Sequence, residues 1–374
     1  MLILFWICLA ALFWTYFLFP ATLVGHVLLR RLLSRRRPRH AAGSRLPAAT
    51  VLLAVRNGAS ELEDRVRNLL AQDYPADLLD VIVICNGSGE DGERRARALA
   101  ASEPRVRVLT TPAEAGKAGA LNAGAAAATG EVLVFADVRQ RFGRRAVRHL
   151  VRALRDPAVG GVSGRLRIGS AGVPVVRGVV HYWQLETQLR LAESLSGSVV
   201  GATGAIYAVR RSLFRPLPPA VILDDVYLPM MVIAQGYRMT LNLRAVAWDR
   251  PSTGYRAEYA RRLRTLVGNY ELLRHLPWLL SPRRNPIFVR YVSHKLLRAL
   301  TPAFCLGLLV SGLLLPQPYH SMADALLVAY ALGALGLIAP LPILALPSAF
   351  VLLHSAGFAA LLRPYRRAAH VWAK

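Results

Sequence analysis

One carboxylate in this chain stands where a sheet would present a ligand. Val132–Phe142 reads VLVFADVRQRF. Four apolar residues lead to Asp137, and Arg139, Gln140 and Arg141 follow. Ligands of open α/β sheets bind beyond the carboxyl ends of the strands, so a buried strand ending in an acid and a polar cluster is a candidate ligand site. Taken alone, the pattern also describes a strand that ends in a solvated turn. Gly116–Gly124, read as GKAGALNAG, sets Lys117 beside a helix start. There the ammonium and the free N–H groups both favour an anion; in isolation a surface lysine is the plainer reading. Asp224 and Asp225 come just before the apolar stretch Val226–Ile233. Paired acids can raise one another's pKa and suit general-base work. An acidic helix N-terminus also accounts for them.

Alternating strands and helices must hold these residues. Thr50–Val55 is an apolar run that stops at Arg56-Asn57-Gly58, a strand and a turn. Leu62, Val66, Leu69 and Leu70 recur at helical spacing. Val81–Cys85 predicts a second strand, closed by Asn86-Gly87-Ser88-Gly89, and Val106–Leu109 a third. Leu121–Ala128 is Ala-rich and helical, ended by Gly130. Strand alternating with helix implies an α/β fold with a mostly parallel sheet. Beyond it, Val159–Val162 and Ala205–Val209 predict strands and Tyr182–Ser194 a helix. Gly201-Ala202-Thr203-Gly204 forms a turn between them.

The flanks are of another kind. Hydrophobic residues make up 54% of the 374 and charged ones 18%, a membrane-protein balance. Residues 1–30 form an N-terminal anchor, since Met1–Leu29 holds no Asp, Glu, Lys or Arg. An Arg-rich neck, 31–47, follows and puts the next segment on the cytoplasmic side. The stretch 255–290 carries a basic amphipathic helix suited to a membrane interface or to packing on the soluble domain. Residues 295–362 hold two or three further membrane helices, and 363–374 a basic tail. Three spans would put that basic tail outside, against the charge rule. The net charge of +25 fits an anionic membrane surface and an anionic substrate. Basic stretches interleaved with aromatics are absent, which argues against nucleic acid. Three cysteines with neither metal nor paired spacing indicate no disulfide framework.

In order along the chain, Leu53–Asn57, Val83–Gly92, Gly116–Gly124, Phe135–Arg141, Leu223–Asp225 and Arg261–Gly268 resemble the motifs of membrane-bound glycosyltransferase family 2. That group includes the cellulose, chitin, hyaluronan and poly-N-acetylglucosamine synthases. The resemblance implies a nucleotide-sugar-binding domain of the GT-A type over residues 48–254, flanked by transmembrane helices, and transfer with inversion. Asn57 and Asn86 then line the nucleotide side; Asn86 stands where the family has an Asp. Lys117 matches the family's Gly-Lys motif. Asp137 is the first acid of Asp-x-Asp, and so ligates Mg²⁺ or Mn²⁺, while Arg139 replaces the second. Either one carboxylate holds the ion weakly with donor phosphate, or Arg139 itself meets the diphosphate.

On the acceptor side, Gly201, Thr203 and Gly204 resemble the Gly-rich turn beside the acceptor sugar. Leu223-Asp224-Asp225 matches Thr-Glu-Asp, whose last residue is the general base, hence Asp225, with Asp224 in the Glu position. Arg264 retains the Arg of Gln-x-x-Arg-Trp and is expected on the diphosphate. Thr265 cannot stack on a sugar, which favours single addition over polymerisation. The resemblance thus implies an inverting transferase, and the anchor, Arg-rich neck and later apolar stretches make it multi-pass in the inner or plasma membrane with a cytoplasmic catalytic domain. It moves a sugar from a nucleotide sugar, most simply a UDP-sugar, to a lipid or glycan acceptor, in exopolysaccharide or envelope glycan synthesis. The alternative, motivated by residues 86, 139 and 265, is a non-catalytic nucleotide or glycan sensor.

Overall fold

The computed structural model describes residues 1–33, 45–56, 58–169, 174–219, 221–252 and 254–362. Asn57, most of the Arg-rich neck and the basic tail lie outside them. The described residues divide into two compact units. One comprises 45–169 and 193–250, the other 1–33, 174–192 and 251–362.

The first unit is built on an eight-stranded mixed sheet. Its strands are β1 (Ala49–Val55), β2 (Leu79–Asn86), β3 (Val106–Thr111), β4 (Val132–Asp137), β5 (Arg141–Phe142), β6 (Val159–Ile168), β7 (Ile206–Arg210) and β8 (Arg238–Asp249). They lie in the order β3-β2-β1-β4-β7-β6-β8-β5. The first four are parallel. β7 runs antiparallel to β4 and β6. β1 and β2 are apolar almost throughout because helices cover both faces, as parallel sheets require.

Alternation along the strands assigns the faces. Val51, Leu53, Val134, Ala136, Ile206, Ala208 and Ala247 point into the main core. There they meet Leu62, Val66 and Leu69 of the helix Ala59–Leu70 and Leu150 of the helix Ala146–Ala153. Phe135 and Tyr207 point to the opposite face and stack with ring centroids 4.3 Å apart. The helices Gly116–Ala127 and Asp224–Ala234 carry the charged residues found beside Tyr207. The expected helix at Leu121–Ala128 starts earlier, at Gly116, which sets Lys117 in its first turn. The apolar stretch Val226–Ile233 is helical from Asp224 onward.

The second unit is helical. Among the described residues, four segments are long and apolar enough to cross a membrane: Leu2–Arg30, Phe288–Leu313, Tyr319–Ile338 and Pro342–Leu362. The third C-terminal segment starts at the Pro340–Pro342 break. The unit also holds the helix Tyr255–His275 and, over residues 174–192, most of the helix Pro174–Ser196. That helix packs here because Gly178 lies against the backbone of Ala345, and Val176 against Leu352.

Candidate active site

Lys117 is the centre of the site. Its Nζ lies 3.1 Å from Asp137 Oδ1 and 3.2 Å from Asp224 Oδ1. The strand-end acid and the first acid of the pair, 87 positions apart in sequence, therefore share one ammonium. Gly116 sets this up. Its φ of +61° is a left-handed conformation that a side chain would strain, and it turns the chain into the helix that carries Lys117. Burial by itself would depress the lysine pKa. Asp137, then Asp224 and Asp225, outweigh it and hold the pKa above the ordinary value. Two of the three ammonium donors face acids.

The acids of the pair are turned to different tasks. Asp224 is buried and takes a 3.4 Å hydrogen bond from the Tyr207 hydroxyl. Burial, and then Asp224, Asp225 and Asp137, keep that phenol protonated well above its usual pKa, so Tyr207 is a donor only. Asp225 Oδ2 accepts the Gly204 N–H at 3.0 Å, and its carbonyl accepts the Ala202 N–H at 2.7 Å. The turn Gly201–Gly204 is thus wrapped on the N-terminus of the helix Asp224–Ala234. A Cβ at Gly204 would sit 2.9 Å from Asp225 Oδ2, so glycine is what allows that approach. The Thr203 N–H is fixed at 2.9 Å by Ser163 Oγ of β6.

Arg139 meets an acid absent from the sequence reading. Its Nη2 donates to Asp249 Oδ2 at 2.6 Å, and Gln140 Nε2 donates to the same oxygen at 3.0 Å. Asp249 ends β8 as Asp137 ends β4. The alternation Met239, Leu241, Ala245, Ala247 along that strand, closed by an acid, was the available signal. Arg65 was also missed. Fully buried, it donates from Nε to the Asp137 carbonyl at 3.0 Å and from Nη1 to Asn68 Oδ1 at 2.7 Å. Asn68 in turn pairs with the backbone of Phe142. The segment from Asp137 to Phe142 is therefore clamped at both ends.

Of the expected site residues, Lys117, Asp137, Asp224, Asp225, Gly201, Thr203 and Gly204 come together. Asn86 is buried at the end of β2, its amide nitrogen donating to Thr111 Oγ1 at 3.1 Å and to the Pro112 carbonyl at 2.7 Å. Arg264 is half-buried on the helix Tyr255–His275 of the other unit. Asn57 is outside the described residues.

Among the described residues, no three His, Cys, Asp or Glu side chains cluster as a metal site. Asp137 is a half-exposed carboxylate whose oxygen already faces an ammonium. Magnesium and manganese accept one carboxylate with phosphate oxygens, so these residues fit an ion held chiefly by a bound diphosphate, not a cage made by the protein.

The family model described as Glycosyl transferase family 2 matches residues 50–217. Among curated proteins the chain is similar to a probable glycosyltransferase, YdaM, of Bacillus subtilis. The two are 24% identical over 65% of this chain and 60% of that protein. It is also similar to an N-acetylglucosaminyltransferase of Rhizobium meliloti, 25% identical over 52% of this chain and 49% of that one. The matches thus span about half the length of these relatives. Among solved structures it resembles the mannosyltransferase PcManGT from Pyrobaculum calidifontis, in complex with GDP-Man and Mn²⁺. The TM-score is 0.69 at 24% identity, over 96% of this chain and 98% of that one. At that identity the likeness speaks for the fold.

Proposed function

Starting from a chain that carries a glycosyl transferase family 2 domain on a GT-A fold, we propose a membrane-bound, inverting transferase that moves a sugar from a nucleotide sugar to a lipid or glycan acceptor. The observation that carries this reading is the shared ammonium. Lys117 joins Asp137 to Asp224 within 3.2 Å, with Asp225 next in sequence. The ammonium assigned to the donor phosphates therefore adjoins a candidate base.

In this mechanism the acceptor hydroxyl attacks the anomeric carbon from the face opposite the leaving nucleoside diphosphate. The C–O bond to the acceptor forms as the C–O bond to the diphosphate breaks. Asp225 takes the hydroxyl proton. Its Oδ2 is oriented by the Gly204 N–H, and its neighbour Asp224 is fixed by Lys117 and Tyr207. Lys117 directs its remaining N–H to the diphosphate, where leaving-group charge develops and a preorganised cation lowers the barrier most. Arg139, with 48% of its side chain exposed though paired to Asp249, and Arg264 are the other cations assigned to that charge. Asn57 and Asn86 are assigned to the nucleotide. Mg²⁺ or Mn²⁺, when bound at Asp137, supplies further neutralisation of the phosphates.

UDP-sugars are the proposed donors. GDP-sugars are the second class, because the neighbour PcManGT was solved with GDP-Man. The four apolar segments support a multi-pass protein, with the catalytic unit assigned to the cytoplasmic side and its product to envelope or extracellular glycan. Thr265 supports single addition over polymerisation. The test is a panel of UDP- and GDP-sugars with purified membranes, reading nucleotide release and product length. Absence of release with every donor, alongside retained nucleotide binding, would replace the transferase by a nucleotide sensor.

A further inference from the structure

The helical unit holds a second charged cluster, which the mechanism above does not use. Three elements supply it: the helix Pro174–Ser196, the helix Tyr255–His275 and the first part of the span Phe288–Leu313. Tyr182 is its hub. The Arg262 guanidinium lies 5.5 Å from its ring centroid and the Arg298 guanidinium 6.0 Å. Arg262 also lies 5.4 Å from the ring of Trp183, and Arg298 5.7 Å from that of Tyr16.

Each arginine has one acid. Arg262 Nε meets Glu258 Oε1 at 2.9 Å, while Glu258 Oε2 meets Arg261 at 2.8 Å. Arg298 Nη1 meets Glu186 Oε2 at 2.5 Å, while Glu186 Oε1 meets His294 Nε2 at 2.7 Å. Burial would raise the Glu186 carboxyl, but His294 and Arg298 hold it well below its ordinary pKa, so it is ionised.

These acids leave part of each fork unused. Among the described residues, Arg262 Nη2 and Arg298 Nε are buried with no hydrogen-bond partner. An unmet buried N–H on a charged group is costly, and guanidinium forks match phosphate oxygens. A phosphate oxygen is an acceptor of the kind these two N–H groups need. The level of the cluster is marked by the chain. Ala299–Leu313 holds no Asp, Glu, Lys or Arg, so Arg298 stands where the segment becomes uncharged. Basic side chains at such a boundary meet lipid headgroups.

We propose that Tyr182, Arg262 and Arg298 form a binding site for the phosphate of an anionic membrane lipid, held among these three elements. The site does not depend on the transferase reading, because its occupancy is read with no sugar donor present.

The test uses the purified full chain in detergent, titrated separately with dioleoyl phosphatidic acid, dioleoyl phosphatidylcholine and inorganic phosphate. Thermal unfolding and lipid adducts by native mass spectrometry are read together. Phosphatidic acid should raise Tm by several degrees and give a discrete one-lipid adduct, and phosphatidylcholine should do neither. Equal stabilisation by inorganic phosphate at matched concentration would overturn the assignment to lipid. Arg298→Lys keeps a cation opposite Glu186 but removes the fork. It should fold, and it should weaken phosphatidic acid binding at least tenfold, as should Arg262→Gln. The double variant Arg283→Gln with Arg284→Gln, in the exposed segment before the span, should keep affinity within about twofold. Wild-type affinity in both Arg298→Lys and Arg262→Gln, or an equal loss in the control, would overturn the site.

Discussion

Replacing Lys117 by methionine removes the one charge between two acids. Asp137 Oδ1 and Asp224 Oδ1 both touch Nζ, at 3.1 and 3.2 Å, so they lie no more than roughly 6 Å apart. Two unit charges at that separation repel by about 3 kcal/mol at an effective dielectric constant near 20. Removing one member of a buried charge cluster costs about 3–5 kcal/mol. The lower figure applies here, because Asp137 keeps 37% of its side chain exposed. For a domain of this size that is a fall in Tm of about 6–12 °C. Loss of one preorganised group at the leaving-group charge costs a further ~10²–10³ in kcat. A second change, Asp224→Asn, separates the two effects. In the double variant the repulsion is gone, so most of the lost stability returns while turnover stays low. The assay is nucleotide release from the matched donor, with unfolding followed on the same samples. Lys117→Met with wild-type Tm and turnover within threefold would refute the shared-ammonium account. Recovery of turnover in the double variant would reduce Lys117 to a structural role.

The other expectations follow from the same geometry. Asp225→Asn should lower kcat by ~10²–10⁴, the span of general-base contributions, with donor KM little changed and the fold intact by circular dichroism. Gly204→Ala puts a carbon 2.9 Å from Asp225 Oδ2; it should cut turnover more than tenfold while Tm moves by a few degrees at most, measured side by side. Because the Lys117 pKa is raised, its stabilisation is complete below the ordinary lysine value of about 10.4 and is lost only as pH climbs through its higher folded value. The pH–rate profile should therefore show no alkaline limb from Lys117 or the similarly raised Tyr207 between pH 7 and 10, and a limb near pH 8–9 would contradict this. EDTA should weaken donor binding without abolishing it if Lys117 meets the diphosphate directly, as proposed; complete loss in calorimetric titration with UDP or GDP would show that the metal dominates.

Local sequence determined much of this protein. Apolar runs of the right length marked the strands around Asp137, and largely uncharged stretches marked helices long and apolar enough to cross a membrane. Chemistry confined to a few neighbouring residues, as at Gly116-Lys117 and Asp224-Asp225, is legible because spacing and type both lie in the string. What the tertiary structure decided was which charges meet. Lys117 facing Asp137 and Asp224 at once depends on β4, the helix Gly116–Ala127 and the helix Asp224–Ala234 converging on one face of the sheet. Arg139 read as a cation for the diphosphate; β8, distant in sequence, supplies Asp249 as its partner. Arg65 drew no reading from its local sequence, yet it is buried beneath the Asp137–Phe142 segment because that helix packs on the core face. Strand pairing brings remote side chains within 3 Å, and electrostatic partners act at that range. Periodicity therefore predicts the elements, and only their packing determines how the charges pair.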